Sequence, residues 1–247
     1  SAIGIYFANS IALQNDGKMV LTGYNNNRSD YDFSVVRYNS DGNLDNSFGI
    51  GGEITTSIGN HHDFGNAVAI QSDSKIVVAG FSNNGNDYDF ALARYNSDGS
   101  LDNHFNTTGK VTTPIGNGND YCTSMALQSD GKMVAAGYSF NGNNYDFAVV
   151  RYNSDGSLDT NFGSNGKTTT QIGTGHDYGT SIALQTDGKI AVAGYSFNGS
   201  NYDFAVVRYN NDGHLDAGFG IGGIVTTPIG NGNDYGNSIT IQSSDGK

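Results

Sequence analysis

The sequence lacks most of what would tie it to a disulfide framework or to a lipid bilayer. Cys122 is the only cysteine among 247 residues, which excludes an intrachain disulfide. No apolar run reaches the length of about 18 residues that a transmembrane helix needs, so we expect no membrane insertion. Charged residues make up only 15% of the chain, below the usual quarter. The surface must therefore consist largely of Asn, Ser, Thr and Gly.

Positive charge is also scarce, and this limits the classes of partner. The formal net charge is −12, with a sequence pI near 4.5. Nucleic acids and anionic membrane surfaces bind cationic patches, so neither is an expected partner. The acidic balance permits divalent cations. Glu53 is the only glutamate, and the remaining acids are aspartates, which serve turns, caps and metal loops.

The dominant feature that is present is a tandem repeat. The lysines that follow a recurrent turn are 57, 57, 57 and 58 residues apart, and they are Lys18, Lys75, Lys132, Lys189 and Lys247. A Tyr-Asp-Phe triplet recurs every 57 residues, beginning at Tyr31, Tyr88, Tyr145 and Tyr202. A period of this size indicates a repeat architecture, and propellers are prominent among those.

Each unit predicts four short strands, A to D. In the third unit strand A is 124–128, strand B 132–138, strand C 146–152 and strand D 167–172. Ser129-Asp-Gly131 is a hairpin signal between A and B, and no segment has helical periodicity. Val149 and Val150 are adjacent, so strand C is apolar on both faces, as in a sheet covered on both sides. We therefore predict an all-β propeller of four-stranded antiparallel blades; the alternative is a β-solenoid.

The unit resembles the bacterial delta-60 repeat family over the whole chain. The resemblance rests on 181–189 (SIALQTDGK), 202–209 (YDFAVVRY) and 155–163 (DGSLDTNFG), and the strand order is similar to an NHL-type blade. It implies propeller blades and a place in large surface or secreted proteins. It implies no particular activity.

The repeat predicts one repeat domain over 1–247, with four full blades and an extra innermost strand. The blades are 9–58, 66–115, 123–172 and 180–229, and the extra strand is 237–247. Ser1–Gly4 resembles the end of a preceding strand D, so both ends divide the repeat. Two interpretations stay open: an excerpt of a longer array or a strand-swapped ring, and a compact four-blade domain.

The turn between strands C and D suggests calcium, with an Asx-type turn as the alternative. Its Asn-x-Asp-Gly-x-x-Asp pattern resembles part of the calcium loop of integrin-type propellers; the best candidate ligands are Asn96, Asp98, Asp102, Asn153, Asp155 and Asp159. An arginine occupies the first ligand position, which opposes a cation. These arginines, Arg37, Arg94, Arg151 and Arg208, lie in apolar strands, so we predict a structural salt bridge in each blade, such as Arg151 with Asp159. No other cofactor is expected.

A second candidate site combines aromatic rings with carboxylates on one blade edge. The B–C and D–A loops are expected to converge there with the ligand-binding candidates Tyr31, Tyr88, Tyr145, Tyr202, Asp63, Asp120, Asp177 and Asp234. Rings that stack on a sugar and polar groups that read its hydroxyls would give a multivalent site. The alternative is that these loops are simply turn-forming and solvated.

The regularity of the units favours a non-enzymatic protein, because catalysis needs one asymmetric constellation. No nucleophile motif is present, and the histidines form no evident zinc set. We predict a secreted or cell-surface structural and adhesive scaffold, part of a larger surface protein or fibre. Its partners would be other copies or neighbouring repeats. The alternative is a lectin-like propeller that binds glycans.

Overall fold

The computed structural model describes residues 7–26 and 29–242, and these residues contain strands and no helices. Sixteen strands form four separate antiparallel sheets of four strands each. Within the described ranges no helix is long and apolar enough to cross a membrane. The predicted fold class, all-β with four-stranded blades, is confirmed.

Each sheet is one blade, and its strands follow each other in chain order. Blade 1 comprises β1 (Phe7–Leu13), β2 (Met19–Asn26), β3 (Tyr31–Tyr38) and β4 (Glu53–Thr56); blade 2 comprises β5 (Asp63–Ile70), β6 (Ile76–Asn83), β7 (Tyr88–Tyr95) and β8 (Lys110–Thr113). Blade 3 comprises β9 (Asp120–Leu127), β10 (Met133–Phe140), β11 (Tyr145–Tyr152) and β12 (Lys167–Thr170); blade 4 comprises β13 (Asp177–Leu184), β14 (Ile190–Phe197), β15 (Tyr202–Tyr209) and β16 (Ile224–Thr227).

Strand A differs most from its predicted bounds, because it contains a bulge. In blade 3 the strand begins at Asp120 rather than at 124, and Thr123 is the extra residue between the Cys122↔Gly137 and Ser124↔Ala136 pairs. A Cβ at Gly137 would lie 1.9 Å from the carbonyl oxygen of Tyr121, so only glycine allows the strands to approach there. The bulge changes the alternation of side chains, which hid the first half of the strand from a periodicity argument.

The chain divides into two compact units, with the boundary between Pro114 and Ile115. Unit 1 contains blades 1 and 2, and unit 2 contains blades 3 and 4. In unit 2 the core lies between the two sheets, and Val134, Phe147 and Val149 of blade 3 pack with Ile182 and Val192 of blade 4. Unit 1 has the equivalent core. We call the side of a blade that carries residues such as Phe147 its forward face, and the side that carries residues such as Val192 its backward face.

The chain continues past blade 4 along that blade's innermost strand. Residues 233–242 belong to no strand. They nevertheless lie against β13, because Thr180 Oγ1 donates to the carbonyl oxygen of Gly236 and the amide of Ile239 donates to Ser181 Oγ at 3.3 Å. The rest of the predicted extra strand, 243–247, and the predicted strand end at Ser1–Gly4 lie outside the described residues.

Candidate functional sites: the blade clasp and the aromatic edge

A cluster of one arginine, one lysine, one aspartate and one phenylalanine closes the C–D turn of every blade. In blade 3, Arg151 Nε donates to Asp159 Oδ2 at 2.8 Å and Lys132 Nζ lies 3.1 Å from the same oxygen. The guanidinium also stacks over the Phe162 ring, 4.6 Å from its centroid. We call this cluster the clasp. The equivalent residues in the other blades are Lys18, Arg37, Asp45 and Phe48; Lys75, Arg94, Asp102 and Phe105; and Lys189, Arg208, Asp216 and Phe219.

The turn itself holds the aspartate in place. The amide of Phe162 donates to the carbonyl oxygen of Asp159, and the amide of Asp159 donates to that of Arg151, both at 2.9 Å. In blade 2 burial raises the pKa of Asp102, but hydrogen bonds from Lys75 and the His104 amide, with the charge of Arg94, outweigh it and lower that pKa to about 2. The carboxylate is therefore charged at neutral pH and satisfies the buried arginine.

The clasp also crosses to the following blade. Arg37 Nη1 donates to the carbonyl oxygen of Ser97 at 2.6 Å, and the Gly49 amide donates to that of Asp98 at 2.9 Å. In unit 2 the same two contacts join Arg151 to the carbonyl oxygen of Asn211 and the Gly163 amide to that of Asp212. One arginine thus stabilises its own turn and its neighbour's.

The candidate calcium ligands make protein contacts in the structure. Asp98 Oδ1 accepts the Ser100 amide at 2.9 Å and the Ser100 hydroxyl at 2.7 Å, and Asp155 bonds Ser157 in the same way. This is the hydrogen bonding of an Asx turn. Asn96 and Asn153 bond the carbonyl oxygens and hydroxyls of their own turns, and Asp102 and Asp159 belong to clasps. Among the described residues no group of three or more His, Cys, Asp or Glu side chains could hold a metal. Calcium stays a prediction.

The tyrosines of the second candidate site do come together at one edge of the blades. In unit 2, Tyr178 has ring centroids 4.9 Å from Tyr138, 5.7 Å from Tyr145 and 6.0 Å from Tyr202. In unit 1, Phe64 is the centre of an equivalent group that includes Tyr31 and Tyr88. Most rings are half-buried, and we call the row they form the aromatic edge. Burial and neighbouring tyrosines raise the pKa of Tyr178 to about 12.

The aspartates predicted to share that site take a different position. Asp63 and Asp177 are fully buried, and their Oδ2 atoms accept the amides of Ile58 at 2.6 Å and Ile172 at 2.8 Å. Asp120 and Asp234 bond Ile115 and Ile229 in the same way. These carboxylates therefore cap the D–A loop from inside. Burial raises the pKa of Asp63 and of Asp177. A ligand role for the Asp and Tyr residues stays a prediction.

Two histidines supply a contact that the sequence alone did not predict. His62 Nδ1 accepts the Tyr31 amide, and His176 Nδ1 accepts the Tyr145 amide, both at 3.1 Å. In blade 4 the Oδ1 atom of Asn233 accepts the Tyr202 amide at 3.0 Å. The sequence held one signal for this contact, since both histidines have the same place in the repeat. The first amide of strand C pairs with no strand D residue, so it needs an acceptor from elsewhere.

A family profile covers more than half of the chain in four pieces. The domain of unknown function DUF5122, described as a β-propeller, matches residues 14–48, 71–105, 128–162 and 185–219. The chain belongs to the DUF5122 β-propeller family. Each matched piece runs from strand A's end through the clasp phenylalanine, so the clasp is part of what the family profile describes. The finer identification as a delta-60 repeat stays a prediction.

Solved structures similar to this DUF5122 chain share little sequence with it. They include an arabinanase of Bacillus subtilis (12% identity, TM-score 0.48, 94% of this chain and 84% of that one) and Sqt1 of Chaetomium thermophilum (14%, 0.46, 96% and 65%). An ulvan lyase of a polysaccharide lyase family is similar at 11% identity and a TM-score of 0.47, over 90% of this chain and 55% of that one. No curated protein sequence matches the chain.

These similarities correct one prediction. The chain was predicted to be non-enzymatic because its blades are near copies, but the arabinanase and the ulvan lyase are enzymes whose structures are similar to it. The prediction was therefore wrong. The physical reason is that repetition constrains the interfaces between blades, whereas loop and edge residues can differ from blade to blade and create an asymmetric site.

Proposed function

We propose that this DUF5122 chain is a structural and adhesive repeat scaffold of secreted or cell-surface proteins. The observation that carries the proposal is the clasp. A buried arginine joins its own turn to the next blade's turn, and in both units the contact has the same donor and acceptor atoms. A joint that recurs in this way lets similar modules stack, and it resists separation because breaking it leaves a buried charge without its partners.

The composition fits an exposed scaffold. Only 15% of residues are charged, the net charge is −12, and Asn, Ser and Gly fill the outer turns. A surface with few charges and a net negative charge does not attract nucleic acids or anionic lipids. Adhesion would then depend on specific contacts between proteins. Other copies of the chain, or neighbouring repeats, are the proposed partners.

The scaffold proposal is tested by force and by location. Single-molecule stretching of the chain should show high unfolding forces, and Arg151→Met should lower the force for blades 3 and 4 while blades 1 and 2 keep theirs. Ser200→Ala, in an exposed turn of blade 4, is the matched control. Fractionation of the producing cells should recover the protein outside the cytoplasm. Recovery only in the cytoplasm, or an unchanged force in Arg151→Met, would contradict the proposal.

The aromatic edge supports a second candidate function, the binding of carbohydrate. The half-buried rings of Tyr178, Tyr195 and Tyr202 form a cluster in which every pair of centroids is 5.1–6.0 Å apart, and each ring exposes part of its surface. The exposed part of an aromatic cluster suits contact with the apolar face of a sugar. The Asn-rich loops contribute little directly, because Asn141 Nδ2 bonds Asn144 and Asp146 of its own loop.

A glycan array tests this second function. The chain should bind at least one class of glycan, and Tyr178→Ala with Tyr202→Ala should lose that binding. Tyr178→Phe with Tyr202→Phe is the control, because it keeps the rings and removes the hydroxyls. Absence of binding to every glycan, with and without calcium, would end this idea and leave the scaffold proposal intact.

A further inference from the structure

Each unit contains one histidine whose side chain bonds the first residue of a strand C. In unit 2, His176 lies in the loop that leads into blade 4, and its Nδ1 atom accepts the amide of Tyr145, which begins β11 of blade 3, at 3.1 Å. In unit 1, His62 and the amide of Tyr31 make the same contact at the same distance. We call this hydrogen bond the histidine contact.

The histidine contact connects the two blades of a unit because the backbone of the histidine is bonded elsewhere. The carbonyl oxygen of His176 accepts the amide of Phe197, in β14 of blade 4, at 3.0 Å. The His176 ring packs against Tyr145 and Tyr178, whose centroids are 5.6 Å and 5.9 Å away. His176 is thus fixed to blade 4 through its backbone and to blade 3 through its ring.

The histidine contact requires a neutral ring. A ring nitrogen accepts a hydrogen bond only while it carries no proton, so in His176 the single ring proton must lie on Nε2. In imidazolium both nitrogens are donors, and the Nδ1–H group would face the N–H group of Tyr145. Turning the ring over brings the Cδ2–H group to the same place, and that group accepts nothing either. Protonation therefore ends the contact in both orientations of the ring.

The repeat also contains an acceptor at this position that does not titrate. The four residues that occupy the position are His62, Asn119, His176 and Asn233. In blade 4 the Oδ1 atom of Asn233 accepts the Tyr202 amide at 3.0 Å. The fold therefore accepts asparagine here, and histidine adds a dependence on protons that asparagine lacks.

We propose that His62 and His176 make the connection between the two blades of each unit sensitive to acid. The neutral ring binds the first residue of strand C, and the contact is lost between about pH 7 and about pH 5, where imidazole commonly titrates. The freed strand end carries Tyr31 or Tyr145, so acid loosens the aromatic edge. The inference goes beyond the scaffold proposal and does not depend on it, because it follows from the contact whatever the chain binds.

Other titratable groups contact the two rings or adjoin the bonded residues in the chain. Those near His176 are Tyr145, Asp146, Asp177 and Tyr178, and those near His62 are Asp30, Tyr31, Asp32, His61 and Asp63. A phenol ordinarily keeps its proton below about pH 9.

The buried carboxyl groups among them respond to acid with the opposite sign. Burial raises the pKa of Asp63, of Asp146 and of Asp177, so their protonation stabilises the fold as the pH falls. Loss of the histidine contact costs less than this gain, because the part-buried amide returns to water. The amide itself, rather than overall stability, is therefore the group to follow.

Two replacements of His176 separate the charge of the ring from its role as acceptor. His176→Asn supplies an acceptor at every pH, as Asn233 does, and His176→Phe supplies none while it keeps a ring against Tyr145 and Tyr178. The measurement is hydrogen exchange of the Tyr145 amide in the full chain by NMR, at about pH 8 and about pH 5. Each rate is divided by that of an unstructured peptide at the same pH, which gives a protection factor.

The three chains should give three different patterns. In the unmodified chain the protection factor of the Tyr145 amide should fall about fivefold on acidification, as expected for the loss of one hydrogen bond. In His176→Asn it should keep the higher value at both pH values, and in His176→Phe it should have the lower value at both. The Tyr31 amide with His62→Asn repeats the test in unit 1.

Two results would overturn the inference. One is a protection factor of Tyr145 that is the same at both pH values in the unmodified chain. The other is a fall in His176→Asn as large as that in the unmodified chain, which would assign the pH dependence to Asp146 and Asp177. Neither result changes the force and location tests of the scaffold proposal, so the two failures are distinguishable.

Discussion

Blades 3 and 4 have nearly the same sequence on their forward faces, and yet these faces differ in burial. Phe147 is fully buried, whereas its counterpart Phe204 is half-buried. The Arg151 side chain is 5% exposed, and that of Arg208 is 21% exposed. The residue types are the same, so the difference comes from the neighbour: within the described residues, blade 3 has a complete blade on its forward face, and blade 4 has residues 235–241. The comparison shows that each blade carries the residues of the interface, and that these residues are fully buried only where a neighbouring blade covers them.

The largest effect expected from this comparison is on the core. Phe147→Ala should lower the free energy of unfolding by about 3–5 kcal/mol, because it removes a buried ring and leaves a cavity. Phe204→Ala should cost about 1–2 kcal/mol, because a half-buried ring loses less apolar burial. Denaturant unfolding of dilute protein measures both. Equal losses would mean that the two faces are equally filled in solution.

The clasp should show a smaller difference of the same sign. Arg151→Met should cost about 3 kcal/mol, because it leaves the Asp159 carboxylate buried beside Lys132 alone and removes the bond to blade 4. Arg208→Met should cost about 1 kcal/mol, because the Arg208 side chain is 21% exposed and, within the described residues, it bonds no next blade. Thermal unfolding monitored in unit 2 checks the pair. A larger loss at Arg208 would contradict the assignment of the faces.

A buried hydroxyl pair gives a third contrast. Thr170 Oγ1 and Tyr209 Oη are 2.8 Å apart and join blade 3 to blade 4. Thr170→Val should cost about 1–2 kcal/mol, because it leaves the Tyr209 hydroxyl buried without a partner. Thr227 has the same repeat position in blade 4 and is exposed, so Thr227→Val should change stability by less than about 0.5 kcal/mol. Chemical denaturation resolves this difference, and a cost at Thr227 in dilute protein would count against it.

The smallest expected effect is on pH dependence, where the two kinds of buried aspartate act in opposite directions. The clasp aspartates have lowered pKa values, so their contribution is complete above the unfolded value of 3.8 and is lost as the pH falls through the folded value, about 2 for Asp102. Asp63 and Asp177 have raised pKa values, so theirs is complete below 3.8 and is lost as the pH rises.

Stability should therefore rise slightly from neutral pH towards pH 4 and fall between pH 4 and pH 2. Melting temperatures over this range measure the profile. Asp177→Asn should reduce the rise on the acidic side. A steady loss of stability from pH 7 downwards would be inconsistent with the buried, raised carboxylates.

The sequence predicted the fold better than the sites, and for an identifiable reason. Strands B and C were placed within a residue or two, because their apolar runs and flanking turns are local signals. Strand A was predicted too short because of its bulge, and strand D too long, since β12 ends at Thr170. The fold class could be predicted from two features alone, which are the repeat and the apolar residues on both faces of strand C.

The contacts of the candidate sites depend on residues far apart in sequence. Arg151 was matched with Asp159, eight residues away, but its second partner, Asn211, is 60 residues away on the next blade. In a repeat, the pattern alone cannot tell a partner within one blade from its copy in the next. Lys132 and His176 were missed for a different reason, because each makes its contact across a turn or between loops rather than along a strand.

The central claim is that the clasp joins one blade to the next within a unit. Hydrogen exchange of the Gly163 amide, which donates to the carbonyl oxygen of Asp212 on blade 4, tests it most directly. The account predicts that Arg151→Met speeds this exchange and that Arg208→Met leaves it unchanged. An exchange rate that is the same in Arg151→Met as in the unmodified chain would contradict the claim.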